Sequence, residues 1–216
     1  MKKYEYILFD LDGTLIDSGP GIMKSIAYAL DNMEVQNYDA DLLRKCVGPP
    51  LKDSFSKLFN IEEERISQAI DYYRECYKAG AIFDATLYDG ILEVLGEIQK
   101  SGRKIAMATS KPEHFAKMIA EKMGFEQYFD YIAGATIQET RTTKSEVIEY
   151  AFELMGNPPR ESCLMIGDRM YDIIGAKECG IDSLGVLYGG YGTREEFVDS
   201  NADFIADTAL DILKYI

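Results

Sequence analysis

The chain has 216 residues and a net charge of −14, room for one large domain or for a domain carrying a smaller insert. With 47% hydrophobic and 28% charged residues it reads as globular, and no apolar run reaches the length of a membrane helix. The acidity excludes the basic footprint of a nucleic-acid polymer binder and disfavours anionic membranes, but a small phosphate ligand held by local cations stays compatible with it. Aspartates interrupt the first apolar run too early for a secretory leader, despite the basic start at residues 2 and 3, so a cytoplasmic and by default monomeric protein is expected. Four dispersed cysteines, Cys46, Cys76, Cys163 and Cys179, form no CxxC site and read as reduced thiols. The single histidine, His114, cannot supply a multi-histidine zinc site and reads as structural or solvent-facing.

In chain order, the first strand pattern is "YEYILF" at 4–9, ending abruptly in Asp10, Asp12, Gly13 and Thr14. Residues 16–85 then show helical patterns only, which predicts a helical insert of about 65 residues, a normal size for a small domain. Within it Tyr72, Tyr73 and Tyr77 fall at near-helical spacing, read as insert core rather than a base-stacking platform. A helix follows with Ile91, Leu92, Leu95 and Ile98 expected on one face. Further strand patterns are "KIAMAT" (104–109), "YIAGAT" (131–136), "CLMIG" (163–167), "SLGVLY" (183–188) and the shorter "DFIA" (203–206). The helices between them stop at Gly124, Gly156 and Gly180, a glycine signal for helix ends. Strands alternating with helices predict βαβ units, and uninterrupted apolar runs suit strands covered on both faces. The expected fold is α/β: a doubly wound, Rossmann-like parallel sheet formed by 1–15 and 86–216, with 16–85 as an inserted all-helical domain.

Ligands of open parallel sheets bind at the carboxyl ends of strands near a topological switch point. There the sequence offers Asp10, Asp12, Gly13 and Thr14, then Thr109, Ser110 and Lys111, then Gly167, Asp168, Arg169 and Asp172, with Lys144 opening the helix before "CLMIG". Like charges this close repel by roughly 4 kcal/mol at 4 Å and an effective dielectric of 20, so protons or a divalent cation must compensate. A hard cation with oxygen ligands that also holds a substrate phosphate is Mg²⁺ chemistry. One carboxylate as nucleophile, a second as general acid and then base, and a lysine, hydroxyls and backbone N–H groups beside Gly13 suit phosphoryl transfer.

The motifs "DLDGTL", "ATSKP", "TTKSEVI" and "GDRMYDIIGAK", in this order, resemble the haloacid dehalogenase superfamily across essentially the whole chain. The helical insert resembles the cap of its phosphoglycolate phosphatase and 5′-nucleotidase branch. "VGPPL" at 47–51 resembles the cap loop that helps choose substrate there, and "GVLYGGYG" at 185–192 also looks like that branch. The resemblance implies a Mg²⁺-dependent phosphatase of small phosphorylated metabolites. Asp10 would attack phosphorus. Asp12 would protonate the leaving oxygen, later activate water, and touch Mg²⁺ by its backbone carbonyl. Thr109 and the Ser110 N–H would hold phosphoryl oxygens beside Gly13, and Lys144 would pair with Asp10 and the phosphate. Asp168 would ligate Mg²⁺, with Asp172 supporting the site or binding a metal water. The dehalogenases lack the acid–base aspartate, so Asp12 argues for phosphate esters.

Bland readings stand beside these. Asp10 and Asp12 also suit a strand-end turn, Arg141 rivals Lys144, and Thr109 and Ser110 compete for one role. Asp172 also suits a helix start, where the dipole favours an acid. Arg169 reads as solvated or ion-paired, as do Arg44 and Lys52 on the insert. Gly189, Gly190 and Gly192 serve a turn or line the site. Two other functions remain: a sugar phosphomutase of the same superfamily, separated by whether a bisphosphorylated sugar primes turnover, and a phospho-accepting regulator, separated by a long-lived aspartyl phosphate.

Overall fold

In the computed structural model, which describes residues 4–136 and 140–216, the continuous apolar runs become strands of a parallel sheet. The elements in chain order are β1 (Tyr6–Phe9), β2 (Ile16–Asp17), α1 (Gly19–Asn32), α2 (Ala40–Arg44), α3 (Leu51–Asp53), α4 (Glu63–Lys78), β3 (Thr86–Leu87), α5 (Ile91–Lys100), β4 (Lys104–Pro112), α6 (Glu113–Met123), β5 (Tyr131–Ala135), α7 (Lys144–Leu154), β6 (Cys163–Gly167), α8 (Met170–Glu178), β7 (Asp182–Val186), α9 (Arg194–Asp199) and β8 (Phe204–Ala206). The basic start at residues 2 and 3 lies outside the described residues. The chain divides into two compact units: residues to Ile16 with Leu87–Ile216, and Asp17–Thr86.

The first unit carries the sheet, in the order β5-β4-β1-β6-β7-β8 with every neighbouring pair parallel. The chain steps outward from β1 through β4 to β5, then crosses to β6 and steps outward through β7 to β8. This reversal makes β1 and β6 a topological switch point, with the carboxyl ends of β4, β1 and β6 side by side. Burial explains the strand composition. Ile7, Leu8, Phe9 and every residue of β6 are buried, because helices cover both faces. On one face Val147, Ile148, Ala151 and Phe152 of α7 pack with Leu8, Ala106, Ala108, Ala133 and Met165. α7 begins at a capping box in which Thr143 and Glu146 satisfy each other's backbone N–H groups. α6 ends at Gly124, and α7 and α8 stop just short of Gly156 and Gly180, all three with positive φ.

The second unit is built on α1 packed against α4. α1 buries Ile22, Ile26, Ala29 and Leu30, and α4 buries Ile66, Ala69, Tyr73 and Tyr77, both at three-to-four-residue spacing. Tyr73 and Tyr77 stack with ring centroids 5.4 Å apart inside this unit, while Tyr72 is half-buried. Lys52 is paired with Glu63 at 2.5 Å.

Two expectations are corrected. Leu92 is 45% exposed, and the buried face of α5 is Ile91, Val94, Leu95 and Ile98. At 100° per residue, position 92 turns well away from Ile91, whereas 94, 95 and 98 return to its side. Residues 16–85 are also not helical throughout: β2, two residues at the start of that segment, pairs as a separate ribbon with β3, the two residues just after its end. Two residues are too short to display any period. No helix among the described residues is long and apolar enough to cross a membrane, and the four cysteines are free.

Candidate active site

Four buried ionisable side chains meet where the sequence left its strands. Asp10 follows β1, Asp168 follows β6, Asp172 lies in the first turn of α8, and Lys144 is the first residue of α7. One carboxylate oxygen from each of the three aspartates lies within 4.8 Å of the others. Lys144 Nζ stands 2.8 Å from Asp10 Oδ1, 2.8 Å from Asp172 Oδ1, and donates to the Ala108 carbonyl at 3.0 Å. The four residues are no more than 9% exposed.

The loop after β1 is shaped for this convergence. Asp10 N donates to the Ile166 carbonyl at 2.9 Å, which ties it to β6. Gly13 N donates to the Ile16 carbonyl at 2.8 Å, closing a tight turn. Gly13 sits at φ +80°, and a Cβ there would lie 2.0 Å from Asp168 Oδ2, so only glycine lets the two motifs touch. Thr14, fully buried, donates to Asp168 Oδ1 at a long 3.4 Å. The segment after β7 closes in from another side. A side chain at position 189 would strike the Gly13 carbonyl, one at 192 the Asp168 carbonyl, and Tyr188 donates to the Thr14 carbonyl at 2.6 Å. These glycines therefore press against the site loops instead of merely turning the chain.

Charge is badly balanced in this cluster, with three carboxylates against one ammonium. Two unit charges at 4.8 Å, the outer limit for these oxygens, repel by roughly 3 kcal/mol at an effective dielectric of 20. Burial pushes the Asp10 carboxyl up to about 6; Lys144 opposes that, and Asp172 adds to it. Asp168 is raised well above the carboxylate range, by burial first and then by the charges of Asp172 and Asp10. Burial alone would lower Lys144, yet Asp10 and Asp172 hold it above its ordinary value. Asp10 Oδ1 and Asp172 Oδ1 face Lys144 at ion-pair distance without well-angled hydrogen bonds. Buried hard oxygens short of positive charge match the donor set of a hard divalent cation.

The remaining predicted residues fall around this centre. The Asp12 carboxylate does not join the three-aspartate cluster; Lys111 holds both its oxygens, at 2.6 and 2.8 Å. Thr109 is buried, and its Oγ1 accepts from Lys111 N at 3.2 Å, whereas Ser110 is exposed. Asp172 both begins α8 and belongs to the cluster, since its Oδ2 accepts from Arg169 N at 3.1 Å. The rival cation Arg141 is engaged elsewhere, donating to the Gly134 carbonyl and lying over the Tyr150 ring. Arg169 pairs with Glu196 at 3.0 Å. His114 is exposed beside Phe115. The sequence sets Thr14 and Lys111 at the strand ends but gives neither a partner; the structure pairs them with Asp168 and Asp12. Tyr188 is not singled out there, and no local signal marks it.

Comparison with known proteins agrees with this geometry. The family model described as haloacid dehalogenase-like hydrolase matches residues 7–186. A 5′-nucleotidase from Pseudomonas aeruginosa is 38% identical over 90% of this chain and 87% of its own. A protein from Mycobacterium tuberculosis named tyrosine-protein kinase PtkA is 36% identical over 96% of this chain and 70% of its own. A crystal structure described as a predicted phosphatase from Clostridium acetobutylicum is 43% identical, covers 99% of this chain and 98% of its own, and superposes with a TM-score of 0.92. The chain belongs to the haloacid dehalogenase-like hydrolases, as a phosphatase of that family.

Proposed function

We propose that the chain is a Mg²⁺-dependent phosphatase of small phosphate monoesters that works through an aspartyl phosphate on Asp10. The observation that carries this reading is the buried cluster of Asp10, Asp168 and Asp172 around Lys144, at the carboxyl edge of the sheet. Its donors fit magnesium, being carboxylate oxygens only, within one ion's reach and short of positive charge. Asp10 and Asp168 would hold the ion, with the Asp12 backbone carbonyl beside them and Asp172 in support. Bound there, Mg²⁺ would supply neutralisation of the phosphoryl charge.

The chain's own residues account for the rest. An Asp10 oxygen attacks phosphorus while Asp12 gives a proton to the departing alcohol oxygen. Water then attacks the aspartyl phosphate, Asp12 takes its proton, and Asp10 leaves as carboxylate. Thr109, Lys144 and backbone N–H groups at Gly13 and Ser110 hold the phosphoryl oxygens. Choice of leaving group is assigned to side chains outside this centre, first among them the helical insert, which resembles a cap. The 5′-nucleotidase relative and a phosphoglycolate phosphatase from Colwellia psychrerythraea, 27% identical over 99% of this chain, favour 5′-nucleotides and phosphoglycolate as the first substrates to try.

The test is phosphate release from a panel of nucleoside monophosphates, phosphoglycolate and sugar phosphates, with Mg²⁺ and with EDTA. Release is expected only with Mg²⁺ and is lost in Asp10→Asn. Activity that ignores EDTA or survives that substitution would overturn the proposal.

A further inference from the structure

The site contains a second, part-buried ion pair, Lys111 with Asp12, and the scheme above gives the lysine no task. Lys111 Nζ donates to both Asp12 oxygens, at 2.6 and 2.8 Å, and the two side chains are 6% and 18% exposed. Local backbone sets this up. β4 pairs with β5 as Thr109↔Gly134 and next as Pro112↔Ala135, so Ser110 and Lys111 are extra residues on β4. Such a bulge re-aims side chains. The turn is held by Lys111 N donating to Thr109 Oγ1 at 3.2 Å. It also lies close against β5, where a Cβ on Gly134 would come 2.7 Å from the Lys111 carbonyl. One short turn thus fixes both the Thr109 hydroxyl and the Lys111 ammonium. A carboxylate that accepts from one ammonium through both oxygens is held in place by it and keeps further lone pairs with which to accept a proton.

We infer that Lys111 is a positioning residue for the second half of the reaction, holding Asp12 as the base for hydrolysis of the aspartyl phosphate. The inference rests on the aspartyl-phosphate reading above. In this half-reaction the water oxygen bonds to phosphorus and its proton passes to Asp12. The phosphorus–oxygen bond to Asp10 breaks, its electron pair returns to the Asp10 carboxylate, and inorganic phosphate leaves. Formation of the aspartyl phosphate from an aryl ester makes little demand on Asp12, because a nitrophenolate departs without protonation.

The experiment is steady-state and rapid-mixing kinetics of Lys111→Met on p-nitrophenyl phosphate with Mg²⁺. The expectation is a fall in kcat of about 10- to 100-fold, the scale of a mispositioned base. KM falls by the same factor and kcat/KM is unchanged. Mixing should release a burst of nitrophenol approaching one per site, and the burst counts folded sites directly. Lys111→Arg should recover part of kcat and shrink the burst. A loss shared equally by kcat and kcat/KM at constant KM, or the absence of a burst, would overturn the inference. A wild-type chain that releases phosphate from no monoester would overturn the phosphatase reading instead.

Discussion

Replacing the proposed nucleophile should make the metal-free protein more stable. In the folded state the Asp10 carboxyl is raised from 3.8 to about 6, because burial outweighs the attraction of Lys144. That displacement amounts to about 3 kcal/mol against the ionised form. The folded chain holds this proton more tightly than the unfolded chain does. Its stabilising contribution is therefore complete below pH 3.8 and is lost as the pH rises through 6. Asn keeps the volume and removes the charge, so Asp10→Asn in EDTA at pH 8 should gain up to about 3 kcal/mol, or about 6–12 °C in Tm for a chain of this size. The gain should shrink as the pH is lowered to 4.5. It should also shrink or reverse when saturating Mg²⁺ stabilises the wild type alone. Thermal denaturation followed by circular dichroism at three pH values, with and without Mg²⁺, reads all of this. A variant that melts at or below wild type in EDTA at pH 8 would show that Asp10 is not an uncompensated charge.

The other expectations concern the same charges and the loop that holds them. Lys144→Met leaves Asp10 and Asp172 without their shared cation and should cost about 3–5 kcal/mol in urea unfolding; adding Asp10→Asn should recover part of it, and strictly additive effects would contradict a shared site. Gly13→Ala faces both a positive φ and a Cβ 2.0 Å from Asp168 Oδ2, whereas Gly124 at φ +76° has nothing within 4 Å of a Cβ. Gly13→Ala should therefore destabilise beyond the roughly 1 kcal/mol expected of Gly124→Ala and should abolish Mg²⁺-dependent turnover, while Gly124→Ala keeps it. Mg²⁺ at about 100 times its dissociation constant should stabilise the wild type by roughly 2.7 kcal/mol; calorimetry on Asp168→Asn should show this binding lost, and unaltered binding would remove Asp168 from the ligand set.

The sheet was legible because its signals are redundant. Cys163–Gly167 is apolar throughout and wholly buried, and a strand covered on both faces has no other way to be written. Helix ends were legible for a similar reason, since Gly124, Gly156 and Gly180 each sit at the positive φ that ends a helix cheaply. Asp10, Lys144 and the Asp168–Asp172 motif come from three places in the chain, yet parallel topology brings strand ends together, so their convergence followed once the strands were placed. What was not legible depends on a single angle or a single packing event. Leu92 looks as apolar as Leu95 until the helix is set against its neighbours. The two-residue strands carry no period. Tyr188 reaches Thr14 across 174 positions in sequence, and no local pattern encodes that. Lys111 depends on a bulge, and a bulge is a property of two strands in register rather than of either alone.

The two lysines divide the site into parts with opposite electrical needs. Lys144 serves two carboxylates with a third close by, leaving that group of four short by two positive charges. All four side chains are buried at strand ends and helix starts, where water does little to screen the deficit. The deficit must be met by protons or by a cation from solution, and the raised Asp10 and Asp168 carboxyls are the proton answer in the cation's absence. Lys111 pairs with the Asp12 carboxylate, which stands outside the three-aspartate cluster. Both Asp12 oxygens are held by Lys111, so the Asp12 side chain is oriented by a cation other than the one that serves Asp10 and Asp172. Under the proposed scheme a lysine of its own suits Asp12, which exchanges protons with alcohol and water in turn. On the same proposal the two aspartates of one short loop, Asp10 and Asp12, take opposite roles. Their difference lies less in the loop than in which lysine each one meets.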